Sequence, residues 1–579
     1  MPDVAPDPFS GTDRFTVTRR IGHGSMGVVY EARDLARQMT VAIKTIRGGD
    51  ASALYRFKRE FRSLSNITHR NLAMLYELFA DATPWFFTME LVKGETFLEY
   101  VRGSASVDYA RLSAALTELI AGLTALHSRN RLHRDIKPSN ILVEPSGRVV
   151  VLDFGLVTDL EWTALGTFPE HDLFGTVAYM APEQASGDAL TGAADWYSVG
   201  TLVFQALTGR LPFQGDSQAI LDAKLAEEAP APRDIDPDIP EAFDHICVTL
   251  LRREPDQRGT PEDVLDLLGF HQTIPASKRP YAFHEHPIAL VGRDRDLTTL
   301  EKAFDSVRPE SSVAMYVHGP SGAGKTALVE SFLDGLSIRD DVLVLSGRCY
   351  ERESVRYKAL DSVVDFLSRY LSQLPVRQIR ALIPDDGALL AEIFPVLASV
   401  VDTESTITGP ILDLQERRRR AVVAFRTLLS RLASRVHLVI CIDDLQWGDL
   451  DSALLISELL HQPGAPSLLL LATYRSEDAD TSPCLRALLD TPPTVGIERR
   501  QLSLEPLSHA DARQLAFELL DDVSPESRAT AASIARESRG SPLFVYELVA
   551  YLHGGEGLTD LSSSTDPVSL DYVVRRRLS

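Results

Sequence analysis

The sequence has only four cysteines, Cys247, Cys349, Cys441 and Cys484, scattered along 579 residues with no Cys-x-x-Cys pair. That excludes a disulfide framework and a zinc site of the usual spacing, and it fits a reducing compartment. No apolar run approaches the roughly 20 residues that a membrane helix needs. The stretch Ser467 to Tyr474 reads instead as a buried strand. Met1-Pro2-Asp3-Val4-Ala5-Pro6-Asp7 has neither the basic start nor the apolar centre of a signal peptide. Positive charge is short as well: 59 Lys and Arg against 81 Asp and Glu give a net charge of −22. Such a chain lacks the cationic excess that neutralises phosphates, so neither nucleic acid nor a membrane is expected as a partner. A soluble, cytoplasmic protein is expected.

What is present is apolar material for several cores, 44% of the residues, with 24% charged. At roughly 100–200 residues per domain, the length implies three or more units. Two glycine-rich patterns divide the chain, one beginning at Ile21 and the other at His318. Between them residues 271–288 carry prolines and polar residues without periodicity, as a linker does. The expected organisation is a tail over 1–13, a domain over 14–270, the linker, a second domain over 289–503 and a helical lid over 504–555. Residues 556–579 read as a flexible segment and the start of a truncated further domain.

In the first domain, Gly22, Gly24 and Gly27 form Gly-x-Gly-x-x-Gly followed by Val28-Val29-Tyr30-Glu31-Ala32. The β-branched and aromatic continuation reads as a strand, so the glycines sit in a hairpin over phosphates rather than at a helix start. Val41-Ala42-Ile43-Lys44 alternates as a strand, and a helix follows with Leu54, Phe57, Phe61 and Leu64 on one face. Glu60 lies in that helix, where it can turn to Lys44 and fix an ammonium suited to phosphates. Downstream stand His133-Arg134-Asp135-Ile136-Lys137-Pro138-Ser139-Asn140, Asp153-Phe154-Gly155 and Ala181-Pro182-Glu183. Asp135 can accept a hydroxyl proton, Lys137 can steady a phosphoryl group, and Asn140 and Asp153 can hold magnesium.

The ordered set resembles the Hanks-type, eukaryotic-like Ser/Thr protein kinases, over about the first 270 residues. The lysine two positions after Asp135 matches the serine/threonine version. The resemblance implies a bilobal α+β fold, Mg2+ and ATP as cofactors, and protein substrates with Ser or Thr acceptors. It also implies that Ile21, Val29, Ala42 and Leu142 enclose adenine, with Met89 as gatekeeper and Glu90 to Val92 as hinge. Asp195 resembles the residue that braces the catalytic loop, Arg258 the partner of Glu183, and Thr176 the threonine beside the acceptor site. Arg134 implies control by a phosphate between Asp153 and Glu183, where Thr158, Thr163 and Thr167 are candidate phosphosites. Each residue alone has an ordinary explanation, Asp135 as a loop carboxylate or Glu60 as a solvated helix residue. A pseudokinase is the alternative within the fold, and the complete set of Lys44, Glu60, Asp135, Asn140 and Asp153 argues against it.

In the second domain, strand Val313 to Val317 runs into Gly319-Pro-Ser-Gly322-Ala-Gly324-Lys325-Thr326, a Gly-x-x-x-x-Gly-Lys-Thr loop in strand–loop–helix context. Its N–H groups would cradle phosphate, with Lys325 on the terminal phosphates and Thr326 on magnesium. Leu438 to Ile442 ends in Asp443 and Asp444, the first to hold magnesium and the second to orient water. Strands at Val342 to Leu345 and Leu468 to Thr473, alternating with helices, imply a parallel sheet covered on both faces. This α/β P-loop domain with its helical lid resembles the STAND class of AAA-like ATPases through Leu290-Val-Gly-Arg293-Asp294, Asp443 to Asp449, Ala472 to Arg475 and Gly540-Ser-Pro542. Arg293, Arg475 and Pro542 are thereby implied at the nucleotide, with a slow ATPase activity, and an activating ligand or self-association as partner. Arg417 to Arg420 read as a solvated helix face.

Together these features point to a signalling kinase carrying a nucleotide-dependent switch. The alternative is a scaffold that oligomerises on ligand binding, with the kinase domain as an interaction module. A transcription regulator of the related class would need a DNA-binding domain, and none is visible. Charge is uneven: residues 1–150 carry +4, 151–280 carry −14 and 281–579 carry −12. Acidity in the half where protein substrates dock favours basic substrates.

Overall fold

In the computed structural model the described residues are 9–23, 27–46, 51–64, 67–80, 84–103, 106–129, 131–152, 177–269, 290–309, 311–401, 413–490, 497–520 and 524–553. They form two compact units, one ending with helix Pro261–Leu267 and the other opening with helix Asp294–Asp305. Gly24, Asp153, Thr158, Thr163, Thr167 and Thr176, the linker and residues 556–579 lie outside the described residues.

The first unit begins with strands β1 (Phe15–His23), β2 (Gly27–Asp34), β3 (Met39–Ile46), β4 (Leu75–Phe79) and β5 (Phe86–Glu90). They pair antiparallel in the order β1-β2-β3-β5-β4. Ala32, Val41 and Ile43 pack under Phe15 and Phe86, while Ala42 and Lys44 of β3 are buried on the opposite face. Phe9, in the segment read as a tail, joins that cluster 5.1 Å from the Phe86 ring. Helix Ala51–Leu64 buries Leu54, Phe57 and Phe61, and the Phe57 ring lies 5.0 Å from Phe87 of β5. The burial of Phe57 and Phe61 sets the face of the turn that carries Glu60.

The rest of this unit is mainly helical. Helix Tyr109–His127 starts where Asp108 accepts hydrogen bonds from the N–H groups of Ala110 and Arg111, a side-chain N-cap. Helix Ala193–Thr208 is apolar on nearly every side and buried accordingly. A small sheet of β6 (Glu95–Thr96), β7 (Ile141–Val143) and β8 (Val149–Val151) supports the loop 133–140.

The second unit is built on five parallel strands in the order Val342–Arg348, His437–Asp443, Leu468–Arg475, Ser312–Gly319, Ile497–Ser503. Val439 and Cys441 pack with helices Asp294–Asp305 and Lys325–Ser337, while Ile440 and Ile442 point the other way and are equally buried. Burial on both faces is what continuous apolar strands require. The edge strand Ile497–Ser503 reads Ile-Glu-Arg-Arg-Gln-Leu-Ser and is partly exposed, so charge blunts the edge and hides the strand from a hydrophobicity reading. Helices His509–Leu520, Pro525–Glu537 and Pro542–His553 share a separate core with Leu515, Ile534, Val545 and Leu548. No helix among the described residues is long and apolar enough to cross a membrane.

Candidate active site

In the first unit, the Lys44 ammonium lies 2.7 Å from Glu60 Oε1, and both side chains are buried. Strand β3 supplies the lysine and helix Ala51–Leu64 the carboxylate, so the pair forms only when helix and sheet pack together. Ala42 stands opposite Met89 and Val41 opposite Glu90 across β3 and β5. Ile21 and Gly22 lie on β1, with Gly22 opposite Val29. The Glu90 N–H donates to the Met74 carbonyl at 2.8 Å, and its carboxylate binds Arg148 at 2.6 Å. Val92 lies two residues beyond Glu90, and Leu142 lies on β7.

Loop 133–140 brings three predicted residues together. Lys137 Nζ lies 2.8 Å from Asp135 Oδ2. Asn140 Nδ2 donates to the Asp135 carbonyl at 2.8 Å and to its carboxylate at 2.9 Å. Beneath the loop, buried Asp195 accepts the N–H groups of His133 and Arg134 at 2.8 and 2.7 Å and pairs with His127 at 2.7 Å. Burial alone would raise the Asp195 pKa, but the bonds from His127 and His133 prevail and hold it below the ordinary carboxylate value. These bonds also fix Arg134 in the left-handed region at φ 65°, a strain of about 1–3 kcal/mol that the surroundings must offset. The Leu152 N–H donates to the Asn140 carbonyl at 2.7 Å, tying this loop to the residue just before Asp153. Arg258 grips Glu183 through both guanidinium nitrogens, the second bond at 2.6 Å.

In the second unit, Gly322 and Gly324 adopt φ 79° and 87°, which lets the loop wrap before helix Lys325–Ser337. A side chain at Gly322 would meet the Leu543 Cβ at 2.9 Å. Pro542 packs beside Gly324, and the Leu543 N–H donates to the Gly322 carbonyl, so the start of helix Pro542–His553 packs against the loop. Lys325 Nζ donates to the carbonyls of Gly319 and Pro320 at 2.8 and 2.9 Å, and burial lowers its pKa. Thr326 Oγ1 lies 3.3 Å from both Asp443 oxygens, and Thr473 Oγ1 donates to Asp443 Oδ1 at 2.5 Å. Arg293 is buried and donates to the carbonyls of Ala323 and Glu505, so it clamps the loop from behind. The Arg475 N–H donates to Gln446 at 3.2 Å.

Several partners at these sites carry no motif. Arg348 donates to Asp444 Oδ2 at 2.6 and 3.0 Å, and Gln446 donates to Asp444 Oδ1 at 2.8 Å. Asp444 itself is left-handed at φ 57°. Glu477 accepts the Ser321 N–H of the glycine-rich loop at 3.1 Å. The arginine run behaves as a solvated face: Arg417 pairs with Glu392, Arg418 with Asp451, Arg419 with Glu416 and Arg420 with Asp386.

The donor chemistry fits magnesium, a hard cation that takes oxygen ligands, at two places. Thr326 and Asp443 present such oxygens side by side in the second unit. In the first, Asn140 stands beside Asp135, with Asp153 outside the described residues.

Family comparisons agree with this geometry. Residues 15–267 match the protein kinase domain family and residues 289–471 the AAA ATPase domain family. The chain is 33% identical over 256 residues to the serine/threonine-protein kinase PrkC of Bacillus subtilis, covering 43% of this chain and 39% of that protein. It is 32% identical over 253 residues to the probable serine/threonine-protein kinase PknB of Lactococcus lactis, covering 43% and 40%. It is also 32% identical over 249 residues to PknL of Mycobacterium tuberculosis, covering 42% and 62%. The chain thus spans about two-fifths of the length of the first two relatives. It carries a protein kinase domain of the bacterial Hanks type, an α+β fold, followed by an AAA-type α/β P-loop ATPase domain.

Proposed function

We propose that the protein transfers the γ-phosphoryl group of ATP to a serine or threonine hydroxyl of a protein substrate. The arrangement around Asp135 carries this reading. Its carboxylate is oriented by Asn140 and flanked by the Lys137 ammonium, as a group needs to be to accept a hydroxyl proton while a neighbouring cation offsets charge on the moving phosphoryl. Lys44, fixed by Glu60, would hold the phosphates in line for the attacking hydroxyl. Bound magnesium, held by Asn140 and Asp153, would supply neutralisation of phosphate charge. Ile21, Val29, Ala42 and Leu142 would enclose adenine, with the backbone of Glu90 to Val92 as its polar edge. A phosphate on Thr158, Thr163 or Thr167 would engage Arg134. Substituting Asn for Asp135 should lower transfer to a threonine peptide by about 10³-fold. Equal rates for wild type and Asp135→Asn contradict the reading.

The second module is read as a STAND-like nucleotide switch rather than a fast ATPase. Asp444, the carboxylate available to orient water, has both oxygens engaged by Arg348 and Gln446, so hydrolysis must first release it. Lys325, Thr326 and Asp443 would hold the phosphates and magnesium, with Arg293, Arg475 and Pro542 shaping the loop and lid. On this reading the kinase domain spans 14–270, the ATPase core 289–503 and the lid 504–555, in the cytoplasm where ATP and magnesium are supplied. Lys325→Ala should abolish nucleotide binding at the second site and change kinase rate or oligomeric state. Unchanged binding, rate and size would remove the switch.

A further inference from the structure

Residues 177–180 join the segment around Thr176 to helix Pro182–Ser186 without entering any strand. Their four carbonyls are buried acceptors with no ladder to satisfy them, so side chains must do it. Ser198 Oγ donates to the Tyr179 carbonyl at 2.8 Å. The other three carbonyls converge on one atom. Lys224 Nζ, from helix Ser217–Ala226, donates to Val177 O at 3.0 Å, Ala178 O at 2.8 Å and Met180 O at 2.6 Å. An ammonium has three N–H donors, and here the three match three acceptors.

Lys224 is only 2% exposed, an unusual place for a lysine on a short surface helix. Burial pushes its pKa down to about 7, while the three carbonyls favour the charged form. The ammonium also lies 5.3 Å from the ring centroid of Tyr197, and Arg258 lies 5.0 Å from the same centroid. Arg258 in turn grips Glu183. Two buried cations that share one aromatic ring therefore hold the two ends of segment 177–183, one through main-chain carbonyls and one through a carboxylate.

We infer that Lys224 is a positioning residue for the protein substrate: its ammonium fixes the backbone of residues 177–180, against which the acceptor peptide lies. The inference rests on the kinase reading, in which Thr176 sits beside the acceptor hydroxyl. The hydrogen bonds of Lys224 go to these main-chain carbonyls and not to Asp135. Its influence should therefore appear in peptide binding rather than in phosphoryl transfer.

The test uses the full chain with Lys224→Met, which keeps the length of the side chain and removes its charge and donors. The probe is a lysine-rich threonine peptide, assayed alongside wild type and Asp135→Asn. The peptide KM should rise about tenfold while kcat and the ATP KM stay within about twofold, and Lys224→Arg should recover part of the loss. Hydrogen exchange at amides 177–181 should quicken in the Met variant. If that variant melts well below wild type, Lys224→Gln takes its place in the same comparison. An active wild type whose peptide KM and amide exchange are unmoved by the substitution overturns the inference alone. So does an equal loss in kcat and both KM values. A wild type that transfers no more phosphate than Asp135→Asn overturns the kinase reading, and this inference falls with it.

Discussion

The lysines that the two glycine-rich domains offer for phosphate are held by different kinds of partner. Lys44 is bound to Glu60, a carboxylate from a helix packed across the sheet, so its position reports how helix and sheet are docked. Lys325 is bound to the carbonyls of Gly319 and Pro320, within its own loop. The first lysine is wired to the fold around it, whereas the second needs only its loop and can turn to phosphate without disturbing a distant element. The carboxylates differ too. Asp135 is oriented by Asn140 and Lys137, a pattern suited to accepting a proton. Asp444 is clamped by Arg348 and Gln446, a pattern that withholds it from water. Both loops store left-handed strain, at Arg134 and at Asp444 itself. On the proposed reading, the kinase domain is braced in a working form and the ATPase domain in a resting one.

The sharpest way to break that contrast is at Lys44. Lys44→Met should lower peptide phosphorylation by roughly 10²–10³-fold and leave nucleotide binding at the second site intact, as read by isothermal titration. Loss at both sites would mean the two are not separate. A smaller effect of opposite sign is expected at the clamp. Arg348→Ala, placed in the Asp135→Asn background so that only the second module turns over, should raise ATP hydrolysis about tenfold by freeing Asp444. A flat or lower rate would show that the clamp is not restraining. The smallest effect should come from the exposed arginines. Arg417→Ala removes a solvent-screened pair and should shift the melting temperature by no more than about 1 °C. A large shift, or a loss of nucleic-acid binding, would contradict the solvated-face assignment.

Much of this was legible in the chain because phosphate chemistry constrains spacing. Lys44, Glu60, Asp135, Asn140, Lys325 and Thr326 stand at fixed offsets from glycines and strands, and the structure brings each group together. What stayed hidden depends on contacts with no local pattern. Arg348 reaches Asp444 across neighbouring parallel strands, where Arg348 stands opposite Asp443. Thr473 meets Asp443 in the same way from the other side. Lys224, within Leu-Asp-Ala-Lys-Leu-Ala-Glu-Glu, reads as one more solvated charge until the fold buries it. The edge strand Ile497–Ser503 was obscured by the charges that protect it.

The most direct test follows the γ-phosphate of radiolabelled ATP in the full chain. Wild type should place label on threonine or serine of the added peptide, and Asp135→Asn should lose that label by about 10³-fold while still binding nucleotide at the Lys325 site. Label transferred equally by both proteins would contradict the account.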